Sequence, residues 1–219
     1  MGKSIAVVIP AHNEALVIGK LISSCLKYTN CVLVVDDFST DGTTTIALKS
    51  GAGVYAHTRN WGYGGAIMSG LSLTRNSDIV VTLDGDGQHN PNDIPEIVTP
   101  ILKGDADVVI GSRFIKGYGN LNAMLVALSF NLGHKLISDP QSGYRAYSQE
   151  FLNNLILKDN GFGITAEILV KARKMGYRIV EVPISCDGNN LKMDNHMDIF
   201  RGGAGIIAKT ISWRLKVGN

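Results

Sequence analysis

Ile5-Ala6-Val7-Val8-Ile9-Pro10-Ala11-His12-Asn13-Glu14 opens the readable part of the chain with an unbroken apolar run that ends in a polar turn. A short apolar run closed by proline is the pattern of a strand covered on both faces, and such strands belong to parallel sheets. The pattern recurs outward from it. Residues 31–35 are apolar and end at Asp36-Asp37, residues 79–83 end at Asp84, and residues 107–110 run into Gly111-Ser112-Arg113. A shorter strand is expected over 54–56. Helices are expected between the strands: one capped by Asn13 and beginning near Glu14, one over 43–50, one in 62–74 and one over 94–102. In the first of these, Leu16, Val17, Leu21, Ile22 and Cys25 form the inner face. This alternation predicts an α/β fold with a mostly parallel central sheet and helices on both faces. Ligands of such sheets bind beyond the carboxyl ends of the strands. Pro10–Glu14, Asp36-Asp37 and Asp84–Asp86 therefore share one edge.

Beyond residue 115 the periodicity weakens. A helix is expected over 121–137, apolar around most of its circumference apart from Asn122, Asn131, His134 and Lys135. Another is expected over 165–175, followed by a strand over 178–182 closed by Pro183. Residues 187–195 read as a polar loop. The stretch 199–217 mixes Ile206, Ile207, Ile211, Trp213 and Leu215 with Arg201, Lys209, Arg214 and Lys216, the pattern of an amphipathic docking or membrane-surface helix. No internal repeat or linker divides the chain, so residues 1–219 read as one domain.

The composition narrows the function. With 45% hydrophobic and 18% charged residues, the 219-residue chain has globular composition and length enough to bury a core without disulfides. Lys and Arg total 21 against 19 Asp and Glu, a net charge of +2 that argues against nucleic-acid binding by bulk charge. No apolar run approaches the roughly 18 residues of a membrane span, and no secretory leader is visible at the N-terminus. The three cysteines, Cys25, Cys31 and Cys186, have no metal spacing and read as core thiols of a reducing, cytoplasmic compartment.

Asp84-Gly85-Asp86-Gly87-Gln88-His89 carries the strongest chemical signal. Extended residues two apart point the same way, so Asp84 and Asp86 can converge, with Gln88 next in line. Two carboxylates and an amide oxygen are hard ligands suited to Mg²⁺ or Mn²⁺, with the remaining positions left to water and phosphate oxygens. Asp36-Asp37 is the second signal, because a carboxylate such as Asp37 can accept from a nucleobase N–H or a ribose hydroxyl. Asp41 can cap the helix after it. Gly62-Tyr63-Gly64-Gly65 lacks the third glycine of a dinucleotide fingerprint, since Ile67 stands there, and no Walker sequence is present. His57 and His134 read as surface or core residues.

Pro10…Asn13-Glu14, Val35-Asp36-Asp37…Asp41-Gly42-Thr43, Arg59-Asn60…Gly62…Gly64, Asp84…Asp86…Gln88-His89…Pro91, Gly111-Ser112-Arg113-Phe114 and Asp139…Gln141-Ser142-Gly143-Tyr144-Arg145-Ala146 follow one another in this order. Together they resemble the family 2 glycosyltransferases of GT-A fold, and more narrowly the dolichyl- or polyprenyl-phosphate sugar synthases. The resemblance covers roughly residues 4–183. It implies a nucleotide-sugar donor, UDP- or GDP-linked, bound by Pro10, His12, Asn13, Glu14, Asp36, Asp37, Asn60, Gly64, Asp84 and Gly85. It implies Mg²⁺ or Mn²⁺ on Asp84, Asp86 and Gln88. Ser142, Gly143 and Tyr144 would border the sugar. Asp86, Arg113, Arg145 and Glu167 would be catalytic, with the two arginines near the acceptor phosphate. The acceptor implied is a lipid phosphate, the reaction inverting, and the membrane contact peripheral on the cytoplasmic face.

The sequence departs from the family pattern in places. Residues 115–138 are shorter and lack an expected arginine, Tyr144 stands where phenylalanine is usual, and after Pro183 the family's Arg and Ser-Lys pair are missing, with Lys192 or Arg201 as candidate substitutes. Other readings follow from these gaps: a family 2 transferase acting on an alcohol of a glycan or glycolipid, or a silent binding subunit. A nucleotidyltransferase would instead open with a Gly-rich basic turn after the first strand.

Overall fold

The computed structural model describes residues 2–115 and 137–185. The helix expected over 121–137, apart from Ile137, lies outside the described residues, as do Cys186, the polar stretch 187–195 and the amphipathic stretch 199–217.

Strand β1 (Ile5–Ala11) runs through the middle of the sheet, parallel to β2 (Cys31–Asp36) on one side and β4 (Ile79–Thr82) on the other. Beyond β2 lies β3 (Gly53–Ala56), also parallel. On the far side of β4 the sheet continues through β6 (Arg145–Ser148), β5 (Val108–Ser112) and β7 (Ile179–Pro183), giving the order β3-β2-β1-β4-β6-β5-β7. β6 is antiparallel to both of its neighbours, while β7 is parallel to β5.

The unbroken apolar runs have a direct cause. Successive strand residues face opposite sides. Val7 and Ile9 therefore enter a core under α1 (Ile18–Cys25) and α4 (Ile94–Leu102). Val8 enters a second core under α3 (Gly62–Leu73) and α6 (Ile164–Lys174). The remaining helices are α2 (Thr43–Lys49) and α5 (Gln149–Asn154), with a 3-10 turn (Pro91–Asp93) before α4.

Several expectations are corrected. Helix α1 starts at Ile18, not near Glu14, and Asn13 does not cap it. Asn13 sits at φ +57°, and its carboxamide oxygen accepts from the Thr40 N–H at 2.8 Å. A turn closed on the Glu14 carbonyl intervenes, so Leu16 is fully exposed and the buried face begins at Ile18. Cys31 is exposed rather than a core thiol. Cys25 is buried, which pushes its thiol up to about 12 and leaves it unreactive.

β6 and α5 were not expected. Arg145-Ala146-Tyr147-Ser148 is short and polar, yet it is central: Ala146 fills the core under α1 and α4, and Tyr147 the opposite one. Ser148 then caps α5 by accepting from the Phe151 N–H.

Candidate active site

The parallel strands deliver their carboxyl ends to one cavity of about 500 Å³, within the range of small-molecule sites. Its wall includes Pro10, His12, Glu14, Asp37, Asn60, Asp84, Gly85 and Asp86 of the residues expected there. It also includes Tyr63, Gln141, Phe162 and Thr165, which sequence reasoning did not select.

At the β1–β2 end the loops are tied by hydrogen bonds. His12 donates from Nδ1 to the Asp37 carbonyl at 2.9 Å and accepts at Nε2 from the Asn13 amide at 3.3 Å. Asn13 N–H donates to the Ser39 hydroxyl at 2.9 Å. Gly42, not Asp41, stands at the N-cap of α2, and Asp41 accepts from Thr43 N–H at 2.9 Å and Ala15 N–H at 3.1 Å, which ties the neighbouring loop to the helix start. Asp36 and Asp37 then part. Asp36 turns away from the cavity and accepts from Ser39 N–H at 2.9 Å and from the Thr44 hydroxyl. Asp37 stays on the wall, where Trp61 N–H, Gly62 N–H and His57 Nδ1 donate to it at 2.8, 2.8 and 2.7 Å.

Asp84 and Asp86 are also part of the wall. The Tyr63 phenol donates to Asp84 Oδ1 at 2.9 Å. Burial, reinforced by the Asp84 charge, holds that phenol well above its ordinary pKa, so it remains a donor. Gly143 is why Asp84 fits: a Cβ there would lie 2.2 Å from Asp84 Oδ1. Asp86 Oδ1 accepts the Gln88 N–H at 2.9 Å, and Gln88 is not part of the wall. His89 lies behind, its Nδ1 3.7 Å from Asp84 Oδ2 and its ring stacked on Tyr144 at 5.3 Å between centroids. Burial pushes His89 below its ordinary pKa.

The chain similarity decides the family. Residues 6–170 match the family model described as "Glycosyl transferase family 2". The chain belongs to that family. A UDP-N-acetylglucosamine–dolichyl-phosphate N-acetylglucosaminyltransferase of Methanococcus voltae is 33% identical, with 83% of this chain and 85% of that protein covered. An undecaprenyl-phosphate mannosyltransferase of Micrococcus luteus is 32% identical, with 81% of each covered. Among solved structures, the glucosyl-3-phosphoglycerate synthase of Mycobacterium tuberculosis in complex with Mn²⁺, UDP-glucose and phosphoglyceric acid superposes with a TM-score of 0.78. It is 28% identical, with 97% of this chain and 80% of that chain covered. The mostly parallel sheet is the GT-A arrangement, as expected.

The other expected residues of this glycosyltransferase are not part of the wall. Tyr144 is fully buried, and burial raises its phenol's pKa. Ser142 is buried, with its carbonyl accepting from Arg145. Arg145 is 1% exposed, and its Nε, Nη1 and Nη2 donate to the carbonyls of Ser142, Thr165 and Pro140 at 2.7, 2.8 and 2.6 Å. The structure thus places Arg145 inside the fold rather than beside a phosphate. Glu167 is neither solvated nor on the wall. It is fully buried, accepts from Lys158 and Asp159 N–H, and pairs with Lys171 at 2.6 Å. Gly64 is not on the wall either. A Cβ there would lie 2.2 Å from the Asp159 carbonyl, so the glycine lets α3 meet the segment that Glu167 holds. Arg113 remains partly exposed, clamped by Asp139 through Nε and Nη2 at 2.7 and 2.8 Å. Glu181 holds that clamp in turn, accepting from the N–H groups of Ser138 and Asp139 at 2.8 and 2.9 Å.

The donor set fits a hard divalent ion shared with a ligand. Among the described residues no cluster of three or more His, Cys, Asp or Glu could hold a metal unaided. Asp84 and Asp86 could supply part of a coordination shell, as suits Mg²⁺ or Mn²⁺ with its other positions left to diphosphate oxygens and water.

Proposed function

We propose that this transferase moves a sugar from a nucleoside diphosphate to a lipid phosphate, such as dolichyl or polyprenyl phosphate, with inversion and with Mg²⁺ or Mn²⁺. The observation that carries the reading is a single cavity whose wall holds both a hydrogen-bonding carboxylate, Asp37, and the Asp84/Asp86 pair. The nucleoside lies against Pro10, His12, Glu14, Asp37 and Asn60. The diphosphate lies at Asp84 and Asp86, and the sugar extends toward Gln141, Phe162 and Thr165. When bound, the divalent ion stabilises the negative charge that develops on the departing diphosphate.

A phosphate monoester has a second pKa near about 6 and is already an oxyanion at neutral pH. It needs a cation to place it more than a base to deprotonate it. Arg113 fills that role, with its guanidinium plane fixed by Asp139. Arg145 braces the turn that carries Gln141, and Glu167 braces the segment that carries Phe162. These two therefore act through other residues. Attack from the face opposite the diphosphate inverts the anomeric carbon.

The relatives named for dolichyl and undecaprenyl phosphate support a lipid acceptor, and such an acceptor supports peripheral contact with the cytoplasmic face of a membrane. Among the described residues no helix is long and apolar enough to cross one. The neighbour solved with phosphoglyceric acid favours a second reading, a small soluble phosphate as acceptor. Labelled nucleotide-sugar with Mn²⁺ and either polyprenyl phosphate, phosphoglycerate or a glycolipid alcohol separates these readings. Label entering the organic phase only with polyprenyl phosphate is the expected result. Transfer to phosphoglycerate alone would establish the second reading, and transfer to the alcohol alone would refute both.

A further inference from the structure

The Asp37 carboxylate on the cavity wall accepts three hydrogen bonds from the protein, and their arrangement limits what base it can read. Oδ1 accepts from the Trp61 N–H at 2.8 Å and from His57 Nδ1 at 2.7 Å, while Oδ2 accepts from the Gly62 N–H at 2.8 Å. A carboxylate has about four acceptor positions, so the fold occupies both on Oδ1 and one on Oδ2. The His57 and Asp37 side chains are each only 6% exposed, so water does not compete for this arrangement.

His57 is itself fixed. A carboxylate only accepts, so Nδ1 carries the hydrogen, and Nε2 meets the Ser69 hydroxyl of α3 at 2.9 Å. The chain Ser69–His57–Asp37 thereby ties α3 to the end of β2. Asn60, also on the wall, turns its carboxamide oxygen to the Gly62 N–H at 3.0 Å, so its NH₂ group is not needed for that contact.

We infer that the Ser69–His57–Asp37 chain selects uracil over guanine by leaving Asp37 one acceptor position. Uracil presents a single imide N–H flanked by carbonyl oxygens, which that position and the Asn60 NH₂ can satisfy. Guanine presents two adjacent donors, its ring N–H and exocyclic NH₂, and pairing both needs an open position on each carboxylate oxygen. Oδ1 has none, so guanine enters with a donor unpaired in a largely buried site. An unmet donor weakens binding roughly ten- to hundredfold. His57 and Ser69 are positioning residues, because they act through Asp37.

The inference rests on the nucleotide-sugar reading, and calorimetric titration with UDP and with GDP, both with Mn²⁺, separates the two. UDP should bind at least about tenfold more tightly than GDP. His57→Ala should narrow that ratio to within about threefold while the ligand-free melting temperature stays within a few degrees. His57→Asn, which keeps an N–H near the place of Nδ1, should restore most of it. Equal affinity for GDP and UDP in the unaltered protein, or an unchanged ratio in His57→Ala, overturns the inference and leaves the nucleotide-sugar reading standing. Binding of neither nucleotide overturns both. If His57→Ala fails to fold, Ser69→Ala serves in its place, and an unchanged ratio there overturns the inference equally.

Discussion

The segment from β1 to Asp86 and the segment from Asp139 to Lys171 meet at the same cavity, but they use their charges in opposite ways. In the first, Asp37, Asp84 and Asp86 turn to the wall, steadied in turn by the Trp61 and Gly62 N–H groups, by the Tyr63 phenol and by the Gln88 N–H. In the second, Arg145 and Glu167 turn inward to hold backbone, and the wall receives Gln141, Phe162 and Thr165 instead. A charged residue in a motif can therefore present chemistry or support it, and its place on or off the cavity wall tells which. Removing a presenting charge should cost activity at little cost in stability, and removing a supporting charge should do the reverse.

The sharpest test of this division is Asp86→Ala. Transfer should fall at least about a thousandfold and the Mn²⁺-dependent thermal shift should vanish, with the ligand-free melting point nearly unchanged. A retained shift would move the metal elsewhere. Arg145→Met comes next. It strands three carbonyls, and urea denaturation should show a loss of about 3 kcal/mol, whereas a variant that folds normally yet transfers slowly would return Arg145 to the presenting side.

Gly143→Ala sits on the boundary between the two kinds, because its Cβ would meet the Asp84 carboxylate. Steady-state kinetics should show kcat/KM lower by about thirtyfold, near 2 kcal/mol. The control for the comparison lies far from the site. Asp107 is held below the usual carboxylate pKa chiefly by hydrogen bonding to Arg178, so the pair stabilises the fold above the ordinary Asp pKa and loses that contribution as pH falls through the lowered value. Arg178 is more than half exposed, so Asp107→Asn should cost less than about 1 kcal/mol at neutral pH and nothing in strong acid, with transfer untouched.

Much of this was readable in advance, for reasons that vary with the element. The parallel strands announced themselves because strands packed on both faces must be apolar throughout. α4 was legible to the residue, since Pro91 and a strong apolar stripe bound it. β6 was hidden because Arg145 marks its start, and only the three surrounding carbonyls explain an arginine there. The onset of α1 was misplaced because Asn13 has the composition of a cap but is engaged by Thr40, which is distant in sequence. Tyr63 and Phe162 gave little signal, since an aromatic beside glycines reads as an ordinary loop residue until the two rings are seen stacked at 5.1 Å.

The amino-acid order alone determined the α/β layering, the edge where polar turns gather and the acidic pair after Leu83, because periodicity and strand ends are local properties. Only the tertiary structure decided which charges reach the cavity. Asp36 and Asp37 are adjacent and chemically identical, yet one closes a turn and the other lines the cavity, a difference set by partners at Ser39, Thr44, His57, Trp61 and Gly62. Burial and hydrogen-bond partners come from the packing of distant segments, and the spacing of residues along the chain does not contain them.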